Sequence, residues 1–246
     1  MKVTGNTVLI TGGASGIGLA LVKRFYDRGN EVIICGRRDA ALTNAKRQFP
    51  SLHTRVCDVA DASEREDLIN WATSEFPGLN VLVNNAGIQR RVDLKAAENW
   101  GATASEIAIN LEAPIHLAQL SFPHLSTQKD AAIVNVTSGL SFAPLANVPV
   151  YCATKAALHS FTLSLRWQLK DTPVEVVEII PPAVDTDLQA PGLHTFGANV
   201  DEFADDIFKQ LEAGKTEAAY GTALERSRAS RAELDDYFEK MNSSFR

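Results

Sequence analysis

The sequence predicts an α/β fold in which a parallel sheet is covered by helices on both faces. Short apolar segments alternate regularly along the chain with longer amphipathic ones, which is the pattern of successive βα units. The apolar segments have no polar side, as residues 32–34 and 132–134 show, and such strands are typical of parallel sheets buried on both faces. A glycine-rich turn directly after the first apolar segment is a third signal of a βα unit.

The alternation predicts the elements in chain order. Strands are expected near residues 7–11, 31–35, 52–57, 80–84, 131–137, 174–180 and 216–220. Helices are expected near residues 16–29, 39–49, 61–76, 100–126, 150–170, 201–213 and 231–242. The last helix belongs to a C-terminal helical tail at about 224–246, with one apolar side formed by Leu234, Tyr237, Phe238 and Met241.

Composition predicts one domain over residues 1–246 and excludes two classes of partner. With 246 residues, 45% of them apolar, the chain can bury one substantial core, and no linker, repeat or low-complexity block divides it. The net charge is −6 and the basic residues are dispersed, so a nucleic-acid footprint is absent. No apolar run approaches the ~18 residues of a membrane-spanning helix.

A cytoplasmic location without a bound metal is also predicted. Residues 1–6 lack the apolar region of a signal peptide. Cys35, Cys57 and Cys152 are isolated and fall within predicted strands or a helix, which suits buried thiols in a reducing cytosol. Neither the cysteines nor the five histidines show metal-ligand spacing.

The glycine turn predicts a dinucleotide site. Strand 7–11 runs into Gly12, Gly16 and Gly18, and an amphipathic run follows them. The first glycine allows a tight turn, the second lets the backbone approach a pyrophosphate, and the third permits close packing of helix on strand. The helix N-terminus then offers free N–H groups to the anion. The alternative is a βα turn with no ligand.

Tyr151, Lys155 and Ser138 form a candidate proton-transfer group. Tyr151 and Lys155 are four residues apart, so both project from one helix face. A neighbouring cation favours the phenolate and lowers the phenol pKa, while the Ser138 hydroxyl at a strand end can hold a carbonyl or alcohol oxygen. The trio predicts chemistry on a C–O group.

Four motifs follow directly after predicted strands. They are the glycine turn, the Asn-Asn-Ala-Gly segment 84–87, Ser138 and the proline pair 181–182. In parallel sheets ligands bind beyond the carboxyl ends of the strands, so these motifs predict one active-site rim.

Taken in order, these motifs resemble those of the short-chain dehydrogenase/reductase family. The matching residues, over roughly residues 5 to 190, are Thr11-Gly12-x-x-x-Gly16-x-Gly18, Asp58, Asn84-Asn85-Ala86-Gly87, Asn110, Ser138 and Tyr151-x-x-x-Lys155. Segments 31–37, 136–140 and 181–184 further resemble the bacterial DltE-like oxidoreductases. The resemblance implies a Rossmann-type doubly wound parallel sheet of seven strands in the order 3-2-1-4-5-6-7.

The resemblance also implies roles for individual residues. Tyr151 would be the general acid or base, Lys155 would lower its pKa and hold the nicotinamide ribose, and Ser138 would orient the substrate oxygen. Asn110 would lie in a distorted helix and take part in proton relay. The implied cofactor contacts are Gly12, Ser15, Gly16, Ile17, Gly18, Arg37, Arg38, Asp58, Val59, Asn85, Ala86, Gly87, Tyr151, Lys155, Pro181, Val184 and Thr186.

Some of these residues have structural alternatives. Asp58 either contacts adenine or has a structural role, capping the helix at 61–76 or closing the turn before it. Asn84 and Asn85 either stitch the sheet edge together or contact the cofactor. Asn110 is alternatively a helix-surface amide.

The end of the second strand predicts NADP(H), with NAD as the alternative cofactor. An acidic residue at this position would bind the adenosine ribose, but the chain has Gly36 followed by Arg37 and Arg38. Guanidinium groups suit a phosphate, so Arg37 is the expected main ligand and Arg38 its support. Ser15 occupies a position where many NADP-preferring relatives carry a second basic residue. The alternative is a solvated arginine pair at a helix start.

The chain departs from the family pattern after the sixth strand. Pro182 replaces a glycine that relatives use where the backbone wraps the nicotinamide carboxamide, so either the local backbone already suits proline or the wrap differs. The substrate loop, roughly 187–200, is short and predicts an open pocket that Leu193 and Phe196 cover in part. Arg90 and Arg91 are either anion ligands in that pocket or surface charges.

The resulting hypothesis is an NADP(H)-dependent oxidoreductase that interconverts a small alcohol and its carbonyl. A homodimer is expected, because relatives dimerise through the helices equivalent to 100–126 and 150–170. The alternative is a nucleotide-sensing or interaction protein on the same fold without turnover; such proteins lose the tyrosine or the lysine, and this chain has both.

Overall fold

Seven parallel strands form one sheet in the order β3-β2-β1-β4-β5-β6-β7, as predicted. The computed structural model describes residues 1–96, 99–188, 192 and 194–243. The strands are Thr7–Thr11 (β1), Glu31–Gly36 (β2), His53–Val56 (β3), Leu79–Asn84 (β4), Ala131–Val136 (β5), Val174–Ile180 (β6) and Glu217–Ala219 (β7). This is a doubly wound Rossmann-type sheet.

Helices cover both faces of the sheet. They are Gly16–Asp27 (α1), Asp39–Gln48 (α2), Ala62–Glu75 (α3), Trp100–Ile107 (α4), Ala113–Leu125 (α5), Pro149–Gln168 (α6), Val200–Glu212 (α7), Gly221–Arg228 (α8) and Arg231–Asn242 (α9). Alternate residues of each strand enter opposite cores, so Val8 and Ile10 pack with α1 and α7, while Leu9 packs with α3 and α5. Among the described residues, no helix is both long and apolar enough to cross a bilayer.

The predicted helix 100–126 is three segments in the structure. A π-helical segment, Ala108–Glu112, separates α4 from α5 and places Asn110 at its middle. A π-helical turn bonds residue i to i+5 and holds more residues than an α-helical turn, so the helix continues without a break. The local distortion implied by the family resemblance is therefore present.

Helix α8 is absent from the predicted elements. It has eight residues, of which only Ala223 is fully buried, so its sequence carries almost no apolar periodicity. Its place is fixed by close packing instead, because a Cβ at Gly139 would lie 3.0 Å from the Ala223 Cβ.

The tail helix α9 ends against the loop that precedes α6. It begins with a capping box in which Ser230 and Glu233 bond each other's backbone N–H groups. At its other end, Asn242 Nδ2 donates to the Pro144 carbonyl at 3.1 Å and Asn242 Oδ1 accepts from the Ala146 N–H at 2.7 Å. The end of the tail is thus hydrogen-bonded to the loop that precedes α6.

Candidate active site

The glycine turn connects β1 to α1 at the carboxyl edge of the sheet. Gly12 and Gly16 have φ values of 64° and 54°, which disfavour a side chain. A Cβ at Gly18 would overlap the Gly12 carbonyl oxygen. Ser15 is the N-cap of α1, but its side chain makes no capping bond. The first N–H groups of α1 are thus left without a side-chain cap, as an anion site requires.

The segment 84–87 is bonded to the glycine turn. Asn85 Nδ2 donates to the Thr11 carbonyl at 2.9 Å and to the Gly12 carbonyl at 3.2 Å. Asn84 Nδ2 donates to Asn135 Oδ1 at 2.9 Å. Both amides therefore have the structural role that was one of their two interpretations. Ala86 and Gly87 follow them, and the Ala86 backbone lies against the glycine turn, since a Cβ at Gly12 would lie 3.0 Å from the Ala86 Cα.

Basic side chains lie beside the end of β2. Arg38 Nη2 donates to Ser15 Oγ at 3.3 Å, so its guanidinium stands over the glycine turn. Arg37 Nη1 lies 3.7 Å from Asp58 Oδ2, and the Arg37 side chain is 54% exposed. Asp58 Oδ1 accepts from the Ala60 N–H at 3.0 Å, so Asp58 closes the local turn, which was part of its structural alternative, and Asp61 rather than Asp58 caps α3.

Asn110, Gly87 and Lys155 lie close together after the end of β4. Asn110 is fully buried; its amide donates to the Ile88 carbonyl at 2.8 Å and accepts from the Ile88 N–H at 2.9 Å. A Cβ at Gly87 would lie 3.4 Å from Asn110 Oδ1 and 3.7 Å from Lys155 Nζ. Asn110 is therefore not a surface amide, and it fixes the chain that follows β4.

Lys155 and Tyr151 are both buried on the inner face of α6. Burial lowers the pKa of the Lys155 ammonium to about 8, and its Nζ donates to the Val136 carbonyl at 2.7 Å. Burial raises the pKa of the Tyr151 phenol to about 12, while the nearby Ser138 hydroxyl acts in the opposite direction. The expected lowering of the phenol pKa by Lys155 is absent, because desolvation dominates and the ammonium is bonded to the backbone.

Ser138 begins a tight turn at the end of β5. Its Oγ accepts from the Leu140 N–H at 3.1 Å, and the 3₁₀ turn Gly139–Ser141 follows. The Gly139 N–H donates to the Pro181 carbonyl at 2.8 Å, which joins this turn to the end of β6. The turn brings the Ser138 hydroxyl close to Tyr151.

Glu106 is a titratable group near Tyr151 that motif reading did not find. It is fully buried on α4, and within the described part of the chain neither carboxylate oxygen has a hydrogen-bond partner. Burial raises the pKa of its carboxyl, with Arg90 acting against the rise. The Glu106 charge contributes to the raised pKa of Tyr151. Glu106 does not belong to a recognisable sequence motif. The only sequence signal for it is an acidic residue at a helix position that faces the interior.

The segment after β6 returns to the glycine turn despite Pro182. A Cβ at Gly16 would lie 3.4 Å from the Thr186 Cβ, and Val184 is buried beside Ala198 in a short parallel bridge. Thr186 thus lies beside the glycine turn with proline at position 182.

The expected substrate-loop residues are placed only in part. Leu193 and residues 189–191 lie outside the described residues, whereas Phe196 is 77% exposed. Arg90 Nη1 donates to the Ala102 carbonyl at 2.8 Å, which makes it a tie between the loop and α4. Arg91 is exposed.

Comparison with known proteins agrees with this fold. Residues 6–195 match the family model of short chain dehydrogenases. An oxidoreductase of Bacillus subtilis, the uncharacterized DltE, is 53% identical over 249 residues, covering 99% of each chain. A short chain dehydrogenase from Burkholderia cenocepacia in complex with NADP superposes with a TM-score of 0.84 at 24% identity, covering 97% of this chain and 99% of that one. One from Burkholderia phymatum in complex with NAD gives 0.86 at 18%, covering 96% of each.

These matches define the protein first as an enzyme of the oxidoreductase class on a Rossmann fold. The chain belongs to the short-chain dehydrogenase/reductase family, and within it the chain is similar over its whole length to the DltE oxidoreductase of Bacillus subtilis.

Proposed function

We propose that this enzyme interconverts a small alcohol and its carbonyl compound by hydride transfer with NADP(H). The observation that carries the proposal is the placement of Tyr151 and Ser138 together at the rim that also holds the glycine turn. A proton donor and a hydride carrier must act on one C–O group, so both have to reach the same side of the sheet.

The residues at the rim fit a nicotinamide dinucleotide. The uncapped start of α1 and the glycines of its turn would hold the pyrophosphate, Lys155 the ribose, and Thr186 the carboxamide. When bound, such a cofactor would supply the hydride, and two structures with the same fold contain NADP or NAD. The residues of the protein bind the substrate oxygen and transfer one proton to or from it.

Tyr151 and Ser138 divide the work on the substrate oxygen. Ser138 Oγ donates a hydrogen bond to it and orients it, and Tyr151 gives or takes the proton. Because its pKa is about 12, the phenol is protonated at neutral pH, and the protein alone is set up for proton donation. In this state the phenol can donate the proton when a carbonyl compound is reduced.

The Tyr151→Phe variant tests this mechanism. It removes only the phenol hydroxyl, so NADPH binding should persist while turnover falls by about 10²-fold or more, the usual contribution of a general acid. Tyr26→Phe is the matched control, because Tyr26 packs its ring on Phe49 away from the rim. Wild-type protein is first run with NADPH and a panel of aldehydes, ketones and diketones, in both directions. Full turnover by Tyr151→Phe would refute the mechanism.

The preference for NADP(H) rests on Arg37 and Arg38. Their guanidinium groups stand beside Gly36, where no carboxylate extends from the end of β2 to repel a phosphate. Arg37→Ala should raise the KM for NADPH by more than that for NADH. Arg47→Ala on α2, which also removes an exposed charge, is the control. An equal response to both cofactors would contradict the assignment.

A nucleotide sensor without turnover is the second candidate function. Its support is the buried, raised pKa of Tyr151, which leaves the phenol a weak base at neutral pH. Tight NADPH binding with no turnover of any panel compound, in either direction and from acidic to alkaline pH, would favour it.

A homodimer in the cytoplasm completes the proposal. An apolar cavity of about 430 Å³ lies between α4 and α6, and Trp167, farther along α6, is 72% exposed. Residues lining the cavity include Ile107, Leu111, Val150, Ala153 and Ala157. Ala157→Arg places a charge there and should yield a monomer in sedimentation velocity; an unchanged mass would refute this interface.

The three cysteines are buried and free, which is consistent with the proposed reducing compartment.

A further inference from the structure

A buried carboxylate in β6 lies two residues before the end of that strand. Glu178 is fully buried, and both of its oxygens have partners. Oε1 accepts from the Thr137 hydroxyl at 2.6 Å, and the His159 Nδ1 lies 3.0 Å from each oxygen. A carboxylate in a sheet core is costly unless it is paired and hydrogen-bonded, so this arrangement depends on both neighbours.

These three residues connect α6, β6 and the end of β5 next to the residues of the candidate active site. His159 lies on α6 one turn after Lys155 and two turns after Tyr151, on the same inner face. Thr137 follows β5 and stands between Val136, whose carbonyl accepts from Lys155, and Ser138. The bonds of Glu178 therefore tie the helix that carries the phenol to the strand end that carries the serine.

The His159 ring also supports the turn that begins at Ser138. It packs edge-on against Phe142, the residue after that 3₁₀ turn, with 4.8 Å between ring centroids. The Thr137 N–H donates to the Ile179 carbonyl at 2.9 Å. The backbone on both sides of Ser138 is thus held by contacts that pass through His159 or β6.

We propose that Thr137, His159 and Glu178 form a positioning triad that sets the Ser138 hydroxyl relative to the Tyr151 phenol. None of the three touches the reacting atoms. They act by fixing the distance between α6 and the end of β5, on which the hydrogen bond to the substrate oxygen depends. The inference rests on the proposed carbonyl chemistry of Ser138 and Tyr151.

The charges around the triad favour a protonated imidazole. The hydrogen bond to Glu178 raises the pKa of His159, burial opposes the rise, and Glu217 reinforces it. Arg166, about two turns farther along α6, acts against the rise, but its guanidinium is already paired with Glu217 at 2.8 Å. The positive imidazole thus offsets the charge of the buried carboxylate.

The chain offers a matched comparison in a second buried bond between α6 and β5. Asn135 Nδ2 donates to Thr162 Oγ1 at 2.9 Å, and both residues are fully buried. This bond joins the same two elements, but it is farther along each from the active site. Thr162→Val therefore removes a comparable tie without touching the residues that flank Ser138.

The test compares kcat and KM in Thr137→Val, Thr137→Ser, His159→Gln and Thr162→Val, with the best carbonyl compound of the panel and NADPH. Thr137→Val and His159→Gln should each lower kcat by about 10-fold to 10²-fold, the usual cost of about 1 Å of misplacement, with the KM for NADPH within about 2-fold. Thr137→Ser keeps the hydroxyl and should keep kcat within about 2-fold. Thr162→Val should lower the melting temperature but not kcat.

Hydrogen exchange on the same proteins separates this inference from the proposed function. Loss of the triad should speed amide exchange in residues 137–142, and Thr162→Val should not. If the wild type turns over no compound, faster exchange in the Thr137→Val protein supports the triad while the proposed chemistry fails. The triad would be overturned if Thr137→Val left kcat unchanged, or if Thr162→Val lowered kcat as much as Thr137→Val does. If the wild type is inactive, the triad would be overturned when Thr137→Val exchanges residues 137–142 no faster than the wild type.

Discussion

Lys155→Met should make the protein more stable, although it removes the lysine proposed to hold the nicotinamide ribose. Lys155 is 4% exposed, and burial lowers the pKa of its ammonium from 10.5 to about 8. A shift of about 2.5 units corresponds to about 3 kcal/mol that the native state loses by keeping the charged form buried. Methionine has a similar length and no charge.

The lost hydrogen bond reduces this gain. The Val136 carbonyl would lose the 2.7 Å bond from Lys155 Nζ, which costs about 1 kcal/mol. The net expectation is about 2 kcal/mol of stabilisation at pH 7. A chain of this size that unfolds in one transition would then melt about 4–8 °C higher.

The pH dependence has a definite sign. The lowered pKa of Lys155 destabilises the native state fully below pH 8, and the effect disappears as pH rises towards 10.5, where both states are neutral. The advantage of Lys155→Met should therefore be complete at pH 7 and much smaller at pH 10.

Thermal or urea unfolding without nucleotide measures the effect. Lys46→Met is the control, because Lys46 is exposed on α2 and its loss should change stability by less than about 0.5 kcal/mol. A Lys155→Met protein that melts no higher than the wild type at pH 7, or whose advantage persists at pH 10, would refute the reasoning.

Two further changes test other parts of the rim. Glu106→Gln should stabilise the protein at pH 7, because burial raises the carboxyl pKa and penalises the ionised form; urea unfolding should show this gain vanishing below about pH 4.5, and equal stabilities at both pH values would contradict it. Gly18→Ala should cost about 3 kcal/mol or more, because the new Cβ would overlap the Gly12 carbonyl oxygen, a backbone atom that cannot move aside. Gly78→Ala, whose Cβ would lie 3.5 Å from Thr7 Oγ1, should be nearly neutral, and similar melting temperatures for the two variants would show that the close packing is not required.

The sheet was predictable because its signals are local. Each strand is a short apolar run, and the motifs at the strand ends fall on one edge once all strands are parallel. Helix α8 was missed because tertiary packing around Ala223, and not periodicity, determines it.

The electrostatics of the site were less predictable than its residue types. The Tyr151–Lys155 spacing identifies the pair, but the raised phenol pKa depends on burial by elements distant in sequence. The proximity of Glu106 to Tyr151 and the contact between His159 and Glu178 each join residues that are 19 or more positions apart. No sequence motif indicates either pair.

The π-helical segment Ala108–Glu112 has a consequence for how this stretch tolerates insertions and deletions. The π-helical turn accommodates one extra residue, so the side chains of α5 keep the faces that they would have in an unbroken α-helix one residue shorter. Removing one residue from this segment would therefore leave Leu117 and Ala118 buried with α3, and it would displace Asn110. Removing one residue at the start of α5 instead would turn every later side chain by about 100° around the helix axis. A single deletion should thus be tolerated better within the π-helical segment than in the regular helix that follows it.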